Sequence, residues 1–206
     1  PPLRNATDIC GAVTAQAAEK TGLCAGTPVA GGMFDIDACA LSAAVADDRH
    51  VCMVAGTWSI NEFVADQPIV DGRGLMNSLF CIPGKYLIEE SSATSAGNLA
   101  WYLRNMESCT QNVYTEANRL ALSVGAGEFC PIFLPFIMAS NVNPYAKGAF
   151  VGINANHTKG HIIRGIYEGI AFCHRWHYEK LRALMDRDPE SHYNTLEPDD
   201  EGDDIP

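Results

Sequence analysis

The stretch GAFVGINANHTKGHIIRGIYEGIAF, residues 148–172, joins a short apolar run to the start of a long helical pattern. The helical pattern continues as far as Met185. Its apolar residues recur at the spacing of a helix face that packs on a core, and they are Ile162, Ile163, Ile166, Ile170, Phe172 and Cys173. We therefore predict a long, partly buried helix over residues 160–185.

Strand-like and helix-like patterns alternate in the first half of the chain, which predicts an α/β architecture. Thr14 and Gly22 bracket a short helix as N-cap and C-terminal glycine. The run PVAGGM, residues 28–33, is typical of a buried strand that ends in glycines. The run FDIDACALSAAVA, residues 34–46, then predicts a helix of small side chains that packs closely.

The middle of the chain shows two strand pairs and two helices. In HVCMVAGTWSINEFVA, residues 50–65, two strands meet at a turn formed by Gly56 and Thr57. Pro83 and Gly84 lie between two apolar runs and indicate a hairpin. Helical periodicity follows in residues 93–106 and 111–124, whereas CPIFLPFI, residues 130–137, is too short and too rich in proline for a helix.

Charge is unevenly distributed along the 206 residues. The net charge is −11, and residues 186–206 contain nine of the 25 acidic residues against one base, Arg187. This segment has few apolar residues, so we predict an acidic, disordered tail over residues 185–206. The nearly neutral remainder has no stripe of Lys and Arg, which argues against nucleic-acid binding.

Eight cysteines are spread singly through apolar stretches, without a CxxC pair or the spacing of a zinc site: Cys10, Cys24, Cys39, Cys52, Cys81, Cys109, Cys130 and Cys173. We interpret them as reduced, buried thiols, which favours a cytoplasmic protein. No run of 18 apolar residues occurs, and the first ten residues lack the pattern of a signal peptide, so we expect no membrane association.

Two acidic residues and one turn are candidates for chemistry. Asp35 and Asp37 open the helix predicted after the glycines, where a carboxylate is stabilised by unpaired amides and by the helix dipole. Helix capping therefore explains either residue without a catalytic role. A Gly-Thr turn such as Gly56–Thr57 offers amides and a hydroxyl to a phosphate, although it also suits a plain hairpin.

The segment 148–172 resembles the C-terminal signature of the FGGY family of carbohydrate kinases. The matching residues are Gly148, Phe150, Gly152, Ile153, His161, Ile162, Ile166, Tyr167 and Glu168. Residues 9–46 resemble the stretch in which these kinases enter their second actin-like domain. The motifs GMFDIDA, GTWSINEF and NPYAKGAFVGI are most similar to those of members that act on pentuloses such as L-xylulose.

The resemblance implies an α/β, actin-like (ribonuclease H-like) fold, an ATP-dependent sugar kinase and a pentulose or related sugar as substrate. It makes Asp35 the general base, because Ala38 and Ala40 fall at the family spacing from this residue, and leaves Asp37 as a helix-start residue. It also implies that Gly56 and Thr57 contact the phosphates of ATP, with Mg²⁺ bridging those phosphates.

Three further features are read as structural. Glu90 matches an acid that opens a structural segment of the family. His174 and His177 have a spacing compatible with a metal, but no third ligand is apparent, so we assign no metal ligand and favour packing roles. Gly165 stands where the family has Ala or Ser, which lowers helix propensity by up to about 1 kcal/mol.

Two segments of the family pattern find no match: the Asp-Gly-Thr phosphate loop of the N-terminal domain and the Gly-Gly loop around the adenosine. We therefore interpret residues 1–184 as an incomplete part of the C-terminal kinase domain, and we expect no sugar-dependent ATP turnover from this piece alone. The alternative is a non-catalytic oligomerisation or ligand-binding module derived from a sugar kinase. A homodimer is compatible with either interpretation.

Overall fold

The computed structural model describes residues 4–70, 75–107, 111–140 and 142–185. Within these residues the elements follow one another as β1 (Ile9–Ala12), α1 (Ala15–Thr21), β2 (Pro28–Ala30), α2 (Asp35–Ser42), β3 (Cys52–Ala55), β4 (Ser59–Ala65), β5 (Met76–Leu79), β6 (Tyr86–Ser92), α3 (Ala96–Met106), α4 (Val113–Leu122), β7 (Ile132–Leu134), β8 (Ala149–Val151) and α5 (Lys159–Met185). The predicted α/β alternation is confirmed. The predicted disordered tail lies, from residue 186 on, outside the described residues.

The chain divides into two compact units. The first unit contains the described residues up to Cys52 together with Phe63–Pro68 and Asn77–Ile88. The second unit contains Met53–Glu62, the described part of 69–76 and the described residues from Glu89 on.

The first unit opens with an antiparallel ribbon of β1 and β2, in which Gly11 pairs with Val29 and Ala12 with Pro28. Between these strands, α1 begins as predicted, because the Thr14 hydroxyl accepts a hydrogen bond from the Ala17 amide at 3.1 Å. The prediction that β2 is buried is wrong, since every residue of β1 and β2 is exposed. Apolar composition indicated burial, but burial depends on what packs against the faces of a strand.

Four strands form a sheet in the order β3-β4-β6-β5. The predicted Gly56–Thr57 turn lies between β3 and β4, and the predicted Pro83–Gly84 turn joins β5 to β6. Gly84 has a φ of 81°, which a glycine adopts without steric cost. Strands joined by such short turns run antiparallel, so both hairpins predicted from the sequence are confirmed.

The core of the second unit is an apolar cluster at which three helices and a small sheet meet. Its buried members are Leu99, Leu103, Ala117, Phe133, Ile163 and Ile166. Strand β7 pairs antiparallel with β8, and the rings of Phe133 and Phe150 lie 4.8 Å apart. This packing fixes α5 against α3, α4 and β7.

The long helix α5 confirms the predicted element, but one of its predicted core residues is wrong. Ile163 and Ile166 are 0% exposed, whereas Phe172 is 63% exposed. Phe172 follows Ile163 by nine residues, and nine steps of about 100° place it on the opposite side of the helix. The apolar stripe of α5 is therefore narrower than its composition indicated.

Glycines in α5 allow the helix to approach its neighbours closely. A Cβ added to Gly165 or Gly169 would lie well under 3.0 Å from the carbonyl oxygen of Pro131 or Phe133, respectively. At Gly160 the added Cβ would lie 2.7 Å from the carbonyl oxygen of Leu120. Gly165 therefore has a packing role that its low helix propensity did not reveal.

Within the described ranges, no helix combines the length and the apolar character needed to cross a bilayer. The longest helix, α5, carries charged residues along its length.

Candidate functional site

The loop that leads to Asp35 is shaped by two glycines. The Gly31 amide donates to the carbonyl oxygen of Asp8 at 2.9 Å, and a Cβ on Gly31 would lie 2.5 Å from the carbonyl oxygen of Asn5. Gly32 has a φ of 80°. The chain therefore turns tightly after β2 and enters α2 at Asp35.

Asp35 is exposed in the first turn of α2, at the position the sequence predicted for a helix start. Its Oδ1 accepts a hydrogen bond from the Ile36 amide at 3.0 Å. The residue at the N-cap is Phe34, whose side chain makes no capping bond. A carboxylate in this place lies at the positive end of the helix dipole and remains open to solvent.

Asp37 differs from Asp35 in its environment. It also lies in the first turn of α2, but it is only 6% exposed and does not occupy the N-cap position. Burial raises the pKa of Asp37. The pKa of the nearby Cys81 thiol is raised as well, first by burial and then by the charge of Asp37. Asp37 therefore lies at the start of α2, as predicted, but as a buried side chain that does not cap the helix.

The Gly56–Thr57 turn lies against the N-terminus of α3. The carbonyl oxygen of Gly56 accepts a hydrogen bond from the Ala96 amide at 3.0 Å, and that of Thr57 accepts one from the Gly97 amide at 3.2 Å. These two amides would otherwise lack a partner within the helix. The turn and the helix N-terminus therefore hold each other in place.

The same contacts orient the amides of the turn. In a trans peptide the C=O and the following N–H point in opposite directions. Because the Gly56 and Thr57 carbonyls point at α3, the N–H groups of Thr57 and Trp58 point away from it. Gly97 permits this close approach, since a Cβ there would lie 3.1 Å from the carbonyl oxygen of Thr57.

Asp35 and the Gly56–Thr57 turn belong to different units, so each is a local feature of its own unit. In the part of the chain that the structure describes, no group of three or more His, Cys, Asp or Glu side chains is arranged to hold an ion.

Behind the turn lies a buried group of side chains that the sequence did not single out as a unit, here called the His174 network: His174, Ser59, Asn61 and Ser95. His174 Nδ1 lies 3.2 Å from Ser59 Oγ and 3.1 Å from Asn61 Oδ1. On the other side of the ring, His174 Nε2 lies 3.3 Å from Ser95 Oγ. Burial is the main cause that lowers the pKa of His174, and the charge of the nearby His177 is the second.

A second buried group, here called the His177 network, lies one helical turn further along α5. His177 is 0% exposed, and its Nδ1 lies 3.1 Å from Glu90 Oε1 while its Nε2 lies 2.9 Å from Ser92 Oγ. The ammonium group of Lys180 donates to the same Glu90 oxygen at 2.7 Å and lies over the Trp176 ring. The buried Glu90 therefore forms a hydrogen-bonded ion pair with the partly exposed Lys180.

The pKa values in this second network follow from competing causes. Burial by itself would raise the pKa of Glu90, but hydrogen bonds from His177 and Lys180 and their charges lower it on balance. Burial likewise opposes protonation of His177, yet its hydrogen bonds with Cys173 and Glu90 raise its pKa. The i, i+3 spacing of the two histidines, together with the Ser/Thr-rich run at residues 91–95, is the sequence signal for both networks.

The fold and the features described above are those of a sugar-kinase domain. The chain belongs to the FGGY family of carbohydrate kinases, since the model of that family's C-terminal domain matches residues 51–196. Among curated relatives, it is 34% identical over 189 residues to the L-xylulose/3-keto-L-gulonate kinase of Escherichia coli (strain K12), covering 88% of this chain and 36% of that protein. It is 36% identical to a probable L-xylulose kinase of Pasteurella multocida (strain Pm70), covering 88% of this chain and 37% of that protein.

Solved structures agree with this assignment. The structure is similar to that of xylulose kinase from Rhodospirillum rubrum, with a TM-score of 0.70, 30% identity, and coverage of 89% of this chain and 38% of that one. Glycerol kinase from Plasmodium falciparum, solved with ADP, matches at a TM-score of 0.66 and 19% identity, with coverage of 89% and 37%. The fold is thus the actin-like ATPase fold of FGGY sugar kinases, and the chain spans a little over a third of these proteins' length.

Proposed function

We propose that the polypeptide containing this chain is an ATP-dependent sugar kinase that transfers the γ-phosphate of ATP to a hydroxyl of a pentulose such as L-xylulose. The support for this substrate class comes from the L-xylulose kinases that are 34% and 36% identical to the chain. The support for the phosphate donor comes from membership of the FGGY family and from a fold shared with an ADP-bound kinase.

In this proposal Asp35 is the general base that accepts the proton of the attacking sugar hydroxyl. The observation that carries the assignment is the contrast between two neighbouring acids: Asp35 is exposed at the start of α2, whereas Asp37 is buried. A general base must come within hydrogen-bond reach of the hydroxyl it deprotonates. The exposed carboxylate of Asp35 is the more accessible of the two, which supports its assignment as the base.

Gly56 and Thr57 are proposed to contact the phosphates of ATP. Their carbonyl oxygens are engaged by α3, so the amides of Thr57 and Trp58 are directed away from that helix. Two neighbouring amides that point the same way attract a phosphate oxygen by their partial positive charges. The hydroxyl of the exposed Thr57 adds a further donor next to them.

Mg²⁺ enters this proposal together with ATP. This ion takes many of its ligands from phosphate oxygens and water and needs few protein carboxylates. When bound, the ion would neutralise charge on the phosphates. The residues of the chain then bind the phosphates at the turn and hold the proton acceptor at Asp35.

The test compares Asp35→Asn with Asp37→Asn in the full polypeptide as its gene encodes it. ADP release is measured with L-xylulose, D-xylulose and glycerol as acceptors. We expect Asp35→Asn to lower kcat by about 10² to 10⁴ with little change in the KM for ATP, because Asn cannot accept the proton. Asp37→Asn is expected to keep near-normal turnover and to alter the free energy of unfolding by less than about 1 kcal/mol.

Two results would contradict the proposal. An inactive Asp37→Asn enzyme beside an active Asp35→Asn enzyme would reverse the assignment of the base. A wild-type enzyme with a higher kcat/KM for glycerol than for either pentulose would refute the substrate class while leaving kinase activity intact.

A further inference from the structure

The two segments that contact the Gly56–Thr57 turn are both hydrogen-bonded to one buried side chain, His174. The turn lies against the first amides of α3, and both α3 and the strand that follows the turn reach the same imidazole. We infer that His174 is a positioning residue that fixes the Gly56–Thr57 turn. Its consequence for nucleotide affinity rests on the proposed function of that turn.

The hydrogen-bond directions in the His174 network follow from the chemistry of its members. The amide oxygen of Asn61 can only accept, so His174 Nδ1, at 3.1 Å, carries the proton and donates to it. The Asn61 amide nitrogen in turn donates to Ser59 Oγ at 3.3 Å. In the neutral ring His174 Nε2 then has a lone pair and accepts a hydrogen bond from the Ser95 hydroxyl at 3.3 Å.

In the neutral imidazole Nε2 accepts from the Ser95 hydroxyl, whereas in the protonated ring Nε2 would donate to the oxygen of that hydroxyl. Burial favours the neutral form, and it lowers the pKa of His174. The buried network therefore favours the neutral form of His174.

The Ser95 side chain bonds His174 instead of capping α3. It occupies the N-cap position of α3, where a serine hydroxyl usually bonds an amide of the first turn. Here the side chain makes no capping bond and turns to His174 instead. The amides of Ala96 and Gly97 donate to the carbonyls of Gly56 and Thr57.

His174 consequently links the two segments that determine where the turn lies. Ser59 and Asn61 belong to β4, which begins two residues after Thr57, and Ser95 precedes the helix against which the turn packs. The rigid imidazole ring of His174 is hydrogen-bonded to both segments and so holds β4 and the start of α3 at a fixed separation.

The experiment uses a matched pair of variants in the full polypeptide, Ser95→Ala and Ser92→Ala. Each removes a buried serine hydroxyl that bonds a histidine of α5, but only Ser95 belongs to the His174 network. Amide hydrogen exchange is measured at Ala96 and Gly97, and the KM values for MgATP and for the sugar are measured separately. His174→Gln is the rescue variant, since its amide can take the place of Nε2 and keep the bond to Ser95.

For Ser95→Ala we expect exchange at Ala96 and Gly97 to rise roughly three- to tenfold, with a similar rise in the KM for MgATP and an unchanged KM for the sugar. Ser92→Ala should leave these values at the wild-type level. His174→Gln should lie closer to wild type than His174→Ala does.

Equal exchange at these two amides in Ser95→Ala and Ser92→Ala would overturn the inference, and so would a uniform change throughout the second unit. Faster local exchange with an unchanged KM for MgATP would support the positioning role of His174 and refute the proposed contact between the turn and the phosphates. The two proposals therefore fail in distinguishable ways.

Discussion

Replacement of Gly165 by alanine tests the close packing of α5 most directly. Helix propensity alone predicts that Gly165→Ala stabilises the protein by up to about 1 kcal/mol, since glycine is the weaker helix former. The FGGY pattern, with Ala or Ser at this position, also suggests that alanine would be accepted. The structure predicts the opposite sign, because the new Cβ would lie well under 3.0 Å from the carbonyl oxygen of Pro131.

The expected magnitude follows from these two opposing effects. An extra methyl group in a well-packed site costs about 1 to 3 kcal/mol. The upper part of this range applies here, because the obstacle is a backbone carbonyl next to β7 and cannot rotate away as a side chain could. After subtraction of the propensity gain of about 1 kcal/mol, Gly165→Ala should lower the free energy of unfolding by about 1 to 2 kcal/mol.

Urea denaturation of the full polypeptide measures this change, with an unaltered m-value as the condition for comparing midpoints. Ala171→Gly is the matched control: Ala171 is exposed in the same helix, so this variant reports the difference in helix propensity without a steric contribution. It should cost about 1 kcal/mol. If Gly165→Ala proved more stable than wild type by about the amount that Ala171→Gly loses, α5 would not require glycine at residue 165.

Two further predictions concern the same helix. Because burial places the pKa of His174 below its unfolded value of about 6.5, the stability it contributes is present above that pH and is lost as the pH falls through the folded pKa. Wild-type stability should therefore decline more steeply than that of His174→Gln as the pH falls below about 6.5 in urea titrations, and parallel declines would contradict the assignment of a neutral, buried His174. Ile166→Ala should cost about 2 to 5 kcal/mol, since Ile166 is fully buried, whereas Phe172→Ser should change stability by no more than about 0.5 kcal/mol. A large loss for Phe172→Ser in thermal or urea unfolding would show that this exposed ring is covered in the natural polypeptide.

The sequence by itself determined the elements whose causes are local. Thr14 and Gly22 define α1 because a hydroxyl cap and a left-handed glycine act within a few residues of the chain. The turns at Gly56–Thr57 and Pro83–Gly84 follow from residue types that favour tight backbone bends. The family could also be identified from the sequence, since its signature in residues 148–172 consists of particular residue types at fixed spacing.

Only the tertiary structure decided the properties that depend on distant neighbours. Asp35 and Asp37 are two residues apart and chemically identical, and only packing shows that the first is exposed and the second buried. The same holds for Phe172, for the exposed β2, and for Gly165, whose neighbour Pro131 lies 34 positions away in the sequence. His174 bonds residues 79 to 115 positions away, because a buried polar group must find its partners in whatever segments the fold brings to it.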